Sequence, residues 1–92
     1  MIENFKSKAL KKFFVKGDDS KINPNHRKRI KRILFVLNNG KKLEDFNMPG
    51  WNFHPLKGNL KGMYAIEVSG NFRVIFRFEN GKVMDVDYLD YH

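Results

Sequence analysis

The chain has no cysteine. That excludes a disulfide framework and any metal site built on thiolates, and it suits a reducing cytoplasm. There is no apolar run near the about 20 residues that a membrane span requires. The opening Met1-Ile2-Glu3-Asn4-Phe5-Lys6 reaches a lysine before a signal-peptide core can form, so a soluble cytoplasmic protein with no membrane partner is expected. Acids are also scarce: ten aspartates and glutamates face eighteen lysines and arginines, a net charge of +8. An excess of that size points to a polyanionic or acidic partner.

What is present is the material of a globular core. Nine phenylalanines lie among 41% hydrophobic and 30% charged residues, a composition that folds rather than staying disordered. At 92 residues the chain is expected to form a single domain, 1–92, with one modest core. No repeat, linker or low-complexity segment interrupts it.

The charge is unevenly spread. Residues 1–42 hold thirteen lysines and arginines against Glu3, Asp18 and Asp19, whereas residues 43–92 hold five against seven acids. The basic half reads as helical. Ser7 is placed to cap a helix whose apolar residues Ala9, Leu10, Phe13 and Phe14 share one face, and Gly17 is placed to end it. Asn23-Pro24 starts a second helix, in which Ile30, Ile33, Leu34 and Leu37 form the stripe. Arg27, Lys28, Arg29, Lys31 and Arg32 lie mostly off that stripe, and Asn38-Asn39-Gly40 stops the helix. The connection of about six residues is longer than the about three or four of a helix-turn-helix. The excess of cations here predicts a docking surface, with Arg27, Lys28 and Arg32 as its candidate residues.

Leu43-Glu44-Asp45-Phe46 reads as one more helical turn, and Met48-Pro49-Gly50 breaks it. The period then changes to two. Trp51-Asn52-Phe53-His54 alternates, so His54 faces away from Trp51 and Phe53. Residues 63–68 form a strand. Ser69-Gly70-Asn71 is a tight turn, and Phe72, Val74, Phe76 and Phe78 form one face of the next strand, with Arg73, Ile75 and Arg77 on the other. Glu79-Asn80-Gly81-Lys82 suits a hairpin with both central residues at positive φ, and residues 83–91 form the last strand. Ile2-Glu3-Asn4-Phe5 reads as a short edge strand. The expected fold is α+β: two N-terminal helices on one face of a small antiparallel meander.

If the phenylalanines of the third strand pack under the helices, Arg73 and Arg77 are left on the open face. There the planar guanidinium suits a phosphate; ordinary ion pairs with Glu67 or Asp85 are the alternative. Cutting RNA without a metal needs a base for the 2′-hydroxyl, an acid for the leaving oxygen and cations around the phosphorane. His54, Lys57, the arginines and His92 fit that list if the fold makes them converge. No metal-ligand set is visible around His54, and no cofactor is expected. Tyr88 shares its alternation with Val86 and reads as core; Tyr91 and Trp51 remain candidates for stacking on an unpaired base.

Four segments at these spacings carry a resemblance: Ile2-Glu3-Asn4-Phe5-Lys6, His54-Pro55-Leu56-Lys57-Gly58, Val68-Ser69-Gly70-Asn71-Phe72-Arg73-Val74 and Asp87-Tyr88-Leu89-Asp90-Tyr91-His92. Over nearly its whole length the sequence resembles the HigB toxins, or plasmid-maintenance killer proteins, of the RelE-like superfamily. The resemblance implies a RelE-like fold and a ribosome-dependent endoribonuclease that cuts mRNA in the A site without a metal. It implies a HigA-like helix-turn-helix antitoxin as partner, besides ribosome and mRNA. By position it puts catalytic roles on His54, Asp90, Tyr91 and His92 and phosphate contacts on Lys57 and Arg73, with Arg77 beside them. Met63 stands where relatives often carry an aromatic residue, so no stacking role is carried over there. A second class of function remains beside this one: a basic RNA- or protein-binding module of the same fold that does no chemistry.

Overall fold

The computed structural model describes residues 1–90. Helix α1 (Lys8–Lys16) begins where the Ser7 side chain accepts the Leu10 amide, and it ends at Gly17, which takes the left-handed conformation (φ 70°). The second helix starts in two stages. Asn23 caps a short 3-10 turn, Pro24–His26, which leads directly into α2 (Arg27–Asn39). Ile30, Ile33, Leu34 and Leu37 are all buried, as their spacing predicts. Leu43–Phe46 forms a 3-10 turn that delivers Phe46 fully into the core, where its ring meets Phe53, Phe76 and Phe78 edge-on.

The sheet is an antiparallel meander in the order β1 (His54–Pro55), β2 (Met63–Ser69), β3 (Phe72–Glu79), β4 (Lys82–Asp90). The helices pack on its inner face against Ile66, Val68, Val74, Phe76, Val83 and Val86. The β3–β4 turn carries Asn80 at φ 52° and Gly81 at φ 77°, both positive as a two-residue hairpin requires. The N-terminal segment does not join as an antiparallel edge. It runs parallel to β4 through isolated bridges at Ile2–Val83 and Phe5–Val86.

Strict alternation fails along β4. Val83, Val86 and Tyr88 all belong to the inner face, which an unbroken strand cannot arrange. The register shifts between Ile75 and Arg77, placing an extra residue on β4, and Asp85 sits in the left-handed region (φ 55°). This bulge resets the parity of the strand. Asn4 holds it from both sides: its Nδ2–H donates to Asp85 Oδ1 at 2.8 Å, and its Oδ1 accepts the Asp85 amide at 3.2 Å.

One polar pair lies inside the core. His26 is 4% exposed, its ring packs edge-on to Phe72 and Tyr88, and its Nδ1 shares a hydrogen bond with the Tyr88 hydroxyl. Burial, and secondarily the charge of Asp90, pushes the Tyr88 hydroxyl above its usual value of 10.0. A raised folded-state value means the folded protein holds this proton better than the unfolded chain does. The contribution is therefore complete below pH 10 and disappears as the pH rises through the folded value. Tyr88→Phe is expected to destabilise the fold by about 1–3 kcal/mol in urea titration at neutral pH, because buried His26 loses its partner. The wild type should also lose stability above pH 10 by a component that the variant lacks.

Candidate functional site

The site is built on the outer face of the sheet. The register aligns His54, Ala65, Ile75 and Asp87 in one row, flanked by a row of Glu67, Arg73 and Leu89 and a row of Met63 and Arg77. Opposed residues on neighbouring strands share a face, so His54, Arg73 and Arg77 point to the same side. His54 and Arg73 lie two strands and one step apart, about 12 Å between Cα atoms from standard strand spacings. The floor is not polar. Met63, Ala65 and Ile75 are buried beneath Leu56, Leu60 and Leu89, because the 3-10 turn Gly58–Leu60 folds back over the sheet. The half-buried His54 thus stands at the rim of a small apolar ledge, with exposed Lys57 and Lys61 on the loop that covers it.

The imidazole is oriented by its own backbone. His54 Nδ1 lies 2.6 Å from the Asn52 carbonyl oxygen. A carbonyl only accepts, so Nδ1 carries the proton, and in the neutral ring Nε2 holds the lone pair. Asn52 makes this possible by adopting φ 47°, which asparagine tolerates. The segment is fixed from outside by Arg29, whose Nε and Nη2 donate to the Glu67 carbonyl at 3.0 and 2.9 Å and whose Nη2 also donates to the Gly50 carbonyl at 2.7 Å. The Glu67 amide in turn donates to the Trp51 carbonyl at 2.8 Å. Spacing alone places Arg29 only off the apolar stripe of α2. No local signal marks it, since its partners come from two distant segments.

Each arginine of the face has a carboxylate neighbour. Arg73 Nη2 lies 3.9 Å from Glu67 Oε2, and Arg73 Nη1 donates to the Gly70 carbonyl at 2.9 Å. Arg77 Nε lies 3.6 Å from Asp85 Oδ2, and its guanidinium passes over Gly62, where an added Cβ would meet Nη1 at 3.1 Å. Gly62 therefore keeps room for that side chain, besides adopting φ 95°.

The expected residues converge only in part. His54, Lys57, Arg73 and Arg77 share one face or its rim. Asp90 pairs with Phe72 at the far end of β4, on a strand three places from β1, and alternation puts it on the side of Tyr88 rather than of His54. Tyr91 and His92 lie outside the described residues. Trp51 is 3% exposed and belongs to the core, so the stacking role read from sequence does not hold for it. Its burial follows from the Arg29 anchor, which draws the backbone on either side of it against α2 and β2. Arg27 is turned inward toward the Ile22 carbonyl and Asp19, while Lys28 and Arg32 are exposed on α2. No group of three or more histidines and acids among the described residues could hold a metal ion, and no helix among them is long and apolar enough to cross a membrane.

The chain as a whole is similar to known proteins. A model of the HigB-like toxin family, described as RelE-like toxin of type II toxin-antitoxin system HigB, matches residues 3–92. The chain is 36% identical over 92 residues to Endoribonuclease HigB of Proteus vulgaris, covering 100% of both chains. It is 32% identical over 94 residues to Toxin HigB-1 of Vibrio cholerae, covering 100% of this chain and 98% of that one. Its fold is that of YoeB in a YoeB–YefM complex from Staphylococcus aureus (TM-score 0.58, 20% identity, 100% of this chain and 95% of that chain) and of YafQ from E. coli (TM-score 0.56, 19% identity, 96% and 89%).

The orientation of the ring gives a direct test. In ¹⁵N-detected NMR, the neutral ring of His54 is expected to be protonated at Nδ1. Protonation at Nε2 instead would remove the Asn52 bond from the account.

Proposed function

The chain belongs to the HigB-like family of RelE-like toxins of type II toxin–antitoxin systems, and we propose from that premise that it is an endoribonuclease cutting mRNA in the ribosomal A site without a metal. The observation that supports the chemistry most directly is the Nδ1–H bond of His54 to Asn52, which leaves the lone pair on Nε2 of a histidine that shares the outer face with Arg73 and Arg77. In the proposed reaction Nε2 takes the proton of the 2′-hydroxyl. The 2′-oxygen attacks phosphorus, the bond to the 5′-oxygen breaks, and that oxygen leaves with a proton from an acid. The products are a 2′,3′-cyclic phosphate and a 5′-hydroxyl. Lys57, Arg73 and Arg77 neutralise the charge that builds on the phosphorane. In this reading His92, within the C-terminal Asp90, Tyr91 and His92, either donates that proton or holds the scissile phosphate. The carboxylate of Asp90 favours the charged imidazolium there.

Ribosome engagement is assigned to the basic half, with Lys28 and Arg32 outward on α2 and Arg27 beside them. Such contacts release counterions, so ribosome binding should fall steeply with salt. The helices cover one face of the sheet and His54 stands on the other, which separates docking from cutting. The other reading, a basic module without chemistry, draws support from the carboxylates beside Arg73 and Arg77, and activity measurements separate the two.

His54→Ala is expected to lower ribosome-dependent mRNA cleavage by about 10²–10⁴ while changing stability by about 0.5 kcal/mol or less, measured by primer extension and urea unfolding. Cleavage at the wild-type rate would leave the binding module as the better reading. Ending the chain at Tyr91 is expected to abolish growth arrest after induction while antitoxin co-purification persists. Arrest by the shortened chain would remove His92 from the mechanism.

A further inference from the structure

Strand β1 is two residues long, and its pairing with β2 stops where His54 meets Ala65. Two positions further along β2, the same edge presents Glu67. The amide and the carbonyl of one antiparallel strand residue point to the same side, so Glu67 offers a donor and an acceptor toward the segment before His54. The Trp51 carbonyl takes the donor at 2.8 Å. The acceptor goes elsewhere. Arg29 reaches it from α2 with Nε at 3.0 Å and Nη2 at 2.9 Å, and the same Nη2 reaches the Gly50 carbonyl at 2.7 Å. A helix side chain thus fills the place on the β2 edge that a longer β1 would fill.

This replacement frees the chain to turn. With the Glu67 carbonyl held by Arg29, Asn52 leaves the ladder at φ 47°, and its carbonyl meets His54 Nδ1 at 2.6 Å. In a continued strand the carbonyls lie within the sheet while the side chains stand out of it, so that contact would be lost. The backbone of Asn52 makes the contact, and its exposed side chain only approaches Glu67 Oε2 at 3.4 Å.

We propose that Arg29 is a positioning residue for the cleavage reaction: it keeps Asn52 out of the ladder and so holds His54 with the proton on Nδ1 and the lone pair on Nε2. The inference rests on the nuclease reading of His54 and adds the residue that sets its tautomer. Positive charge alone does not meet the requirement, since two carbonyls must be spanned by donors in one plane, and the ammonium of a lysine is a single point of charge.

Arg29→Lys is the test, because it keeps the charge that favours ribosome binding and removes the planar fork. On ribosomes carrying mRNA, the cleavage rate at saturation is expected to fall at least about tenfold, as misplaced catalytic groups do. The ribosome concentration giving half the maximal rate should stay within about twofold of wild type, since binding is not what the fork supports. In ¹⁵N NMR the neutral His54 ring should lose its preference for Nδ1–H. Two further variants separate positioning from stability, and urea unfolding checks that all three fold. Ile33→Val removes a methyl group from the buried stripe of the same helix, and Asn52→Gly keeps the carbonyl and tolerates positive φ; both should retain rate and tautomer. Wild-type cleavage or an undisturbed Nδ1–H in Arg29→Lys would overturn the proposal. So would an equal loss of rate and tautomer in Ile33→Val, which would make the effect one of stability, or in Asn52→Gly, which would move the role to the Asn52 side chain. A wild-type chain that does not cut on ribosomes removes the nuclease reading and this inference with it, whereas wild-type cleavage matched by Arg29→Lys removes the positioning role alone.

Discussion

The guanidinium of Arg29 grips the carbonyls of Gly50 and Glu67 together, and the outer face takes its shape from that grip. Three donors in a fixed plane meet two acceptors from segments far apart in sequence, an arrangement that a lysine, with its single point of charge, cannot reproduce. Hydrogen bonds to a charged donor contribute about 1.5–3 kcal/mol each in favourable settings. More is at stake than stability. With residues 50–51 held against β2, Trp51 turns into the core, Asn52 turns the chain at positive φ, and the Asn52 carbonyl arrives within reach of the His54 ring. The orientation of one imidazole thus depends on an arginine in a helix on the other side of the sheet.

The sheet also divides labour. Its inner face is closed by aromatic packing around Phe46 and Phe76. Its outer face carries a second, smaller apolar cluster under Leu56, Leu60 and Leu89. That cluster lowers the polarity under the cations, so in the proposed reaction charges along its rim would act on a phosphodiester more strongly than in open water. The carboxylates of Glu67 and Asp85 keep the arginines in place before any phosphate arrives. A phosphate that draws Arg73 or Arg77 toward itself must compete with them.

Local signals were legible in the sequence and non-local ones were not. Ser7, Gly17, the Ile30–Ile33–Leu34–Leu37 stripe and the Asn80-Gly81 turn act through near neighbours, so spacing alone predicts their effect. The faces of β3 followed from alternation. Trp51 was misread as available for stacking because its burial depends on the distant Arg29 anchor. His26 falls within the helix expected to start at Asn23-Pro24; it lies instead in the turn before α2, buried against Tyr88, 62 positions away. The bulge at Asp85 has no signature in β4 itself, since the residue that stabilises it is Asn4. Within the site, the open face of Arg73 and Arg77 was readable, and the placing of His54 on that same face was not. The carbonyl that sets the histidine tautomer was not, and neither was the position of Asp90 away from His54.

The clasp between Asn4 and Asp85 has a consequence for how the protein comes into being. Its two partners are 81 positions apart, and the same pairing lays residues 2–6 along β4. Contacts of such separation carry the full entropy of closing the chain before they return anything. Residues 2–6 gain these partners only once the segment 81 positions further along is available. Until β4 leaves the exit tunnel, the β3 edge that it will cover is open, and Val74 and Phe76 lack half of their neighbours. Until β4 has paired, this chain has neither the clasp nor a completed sheet.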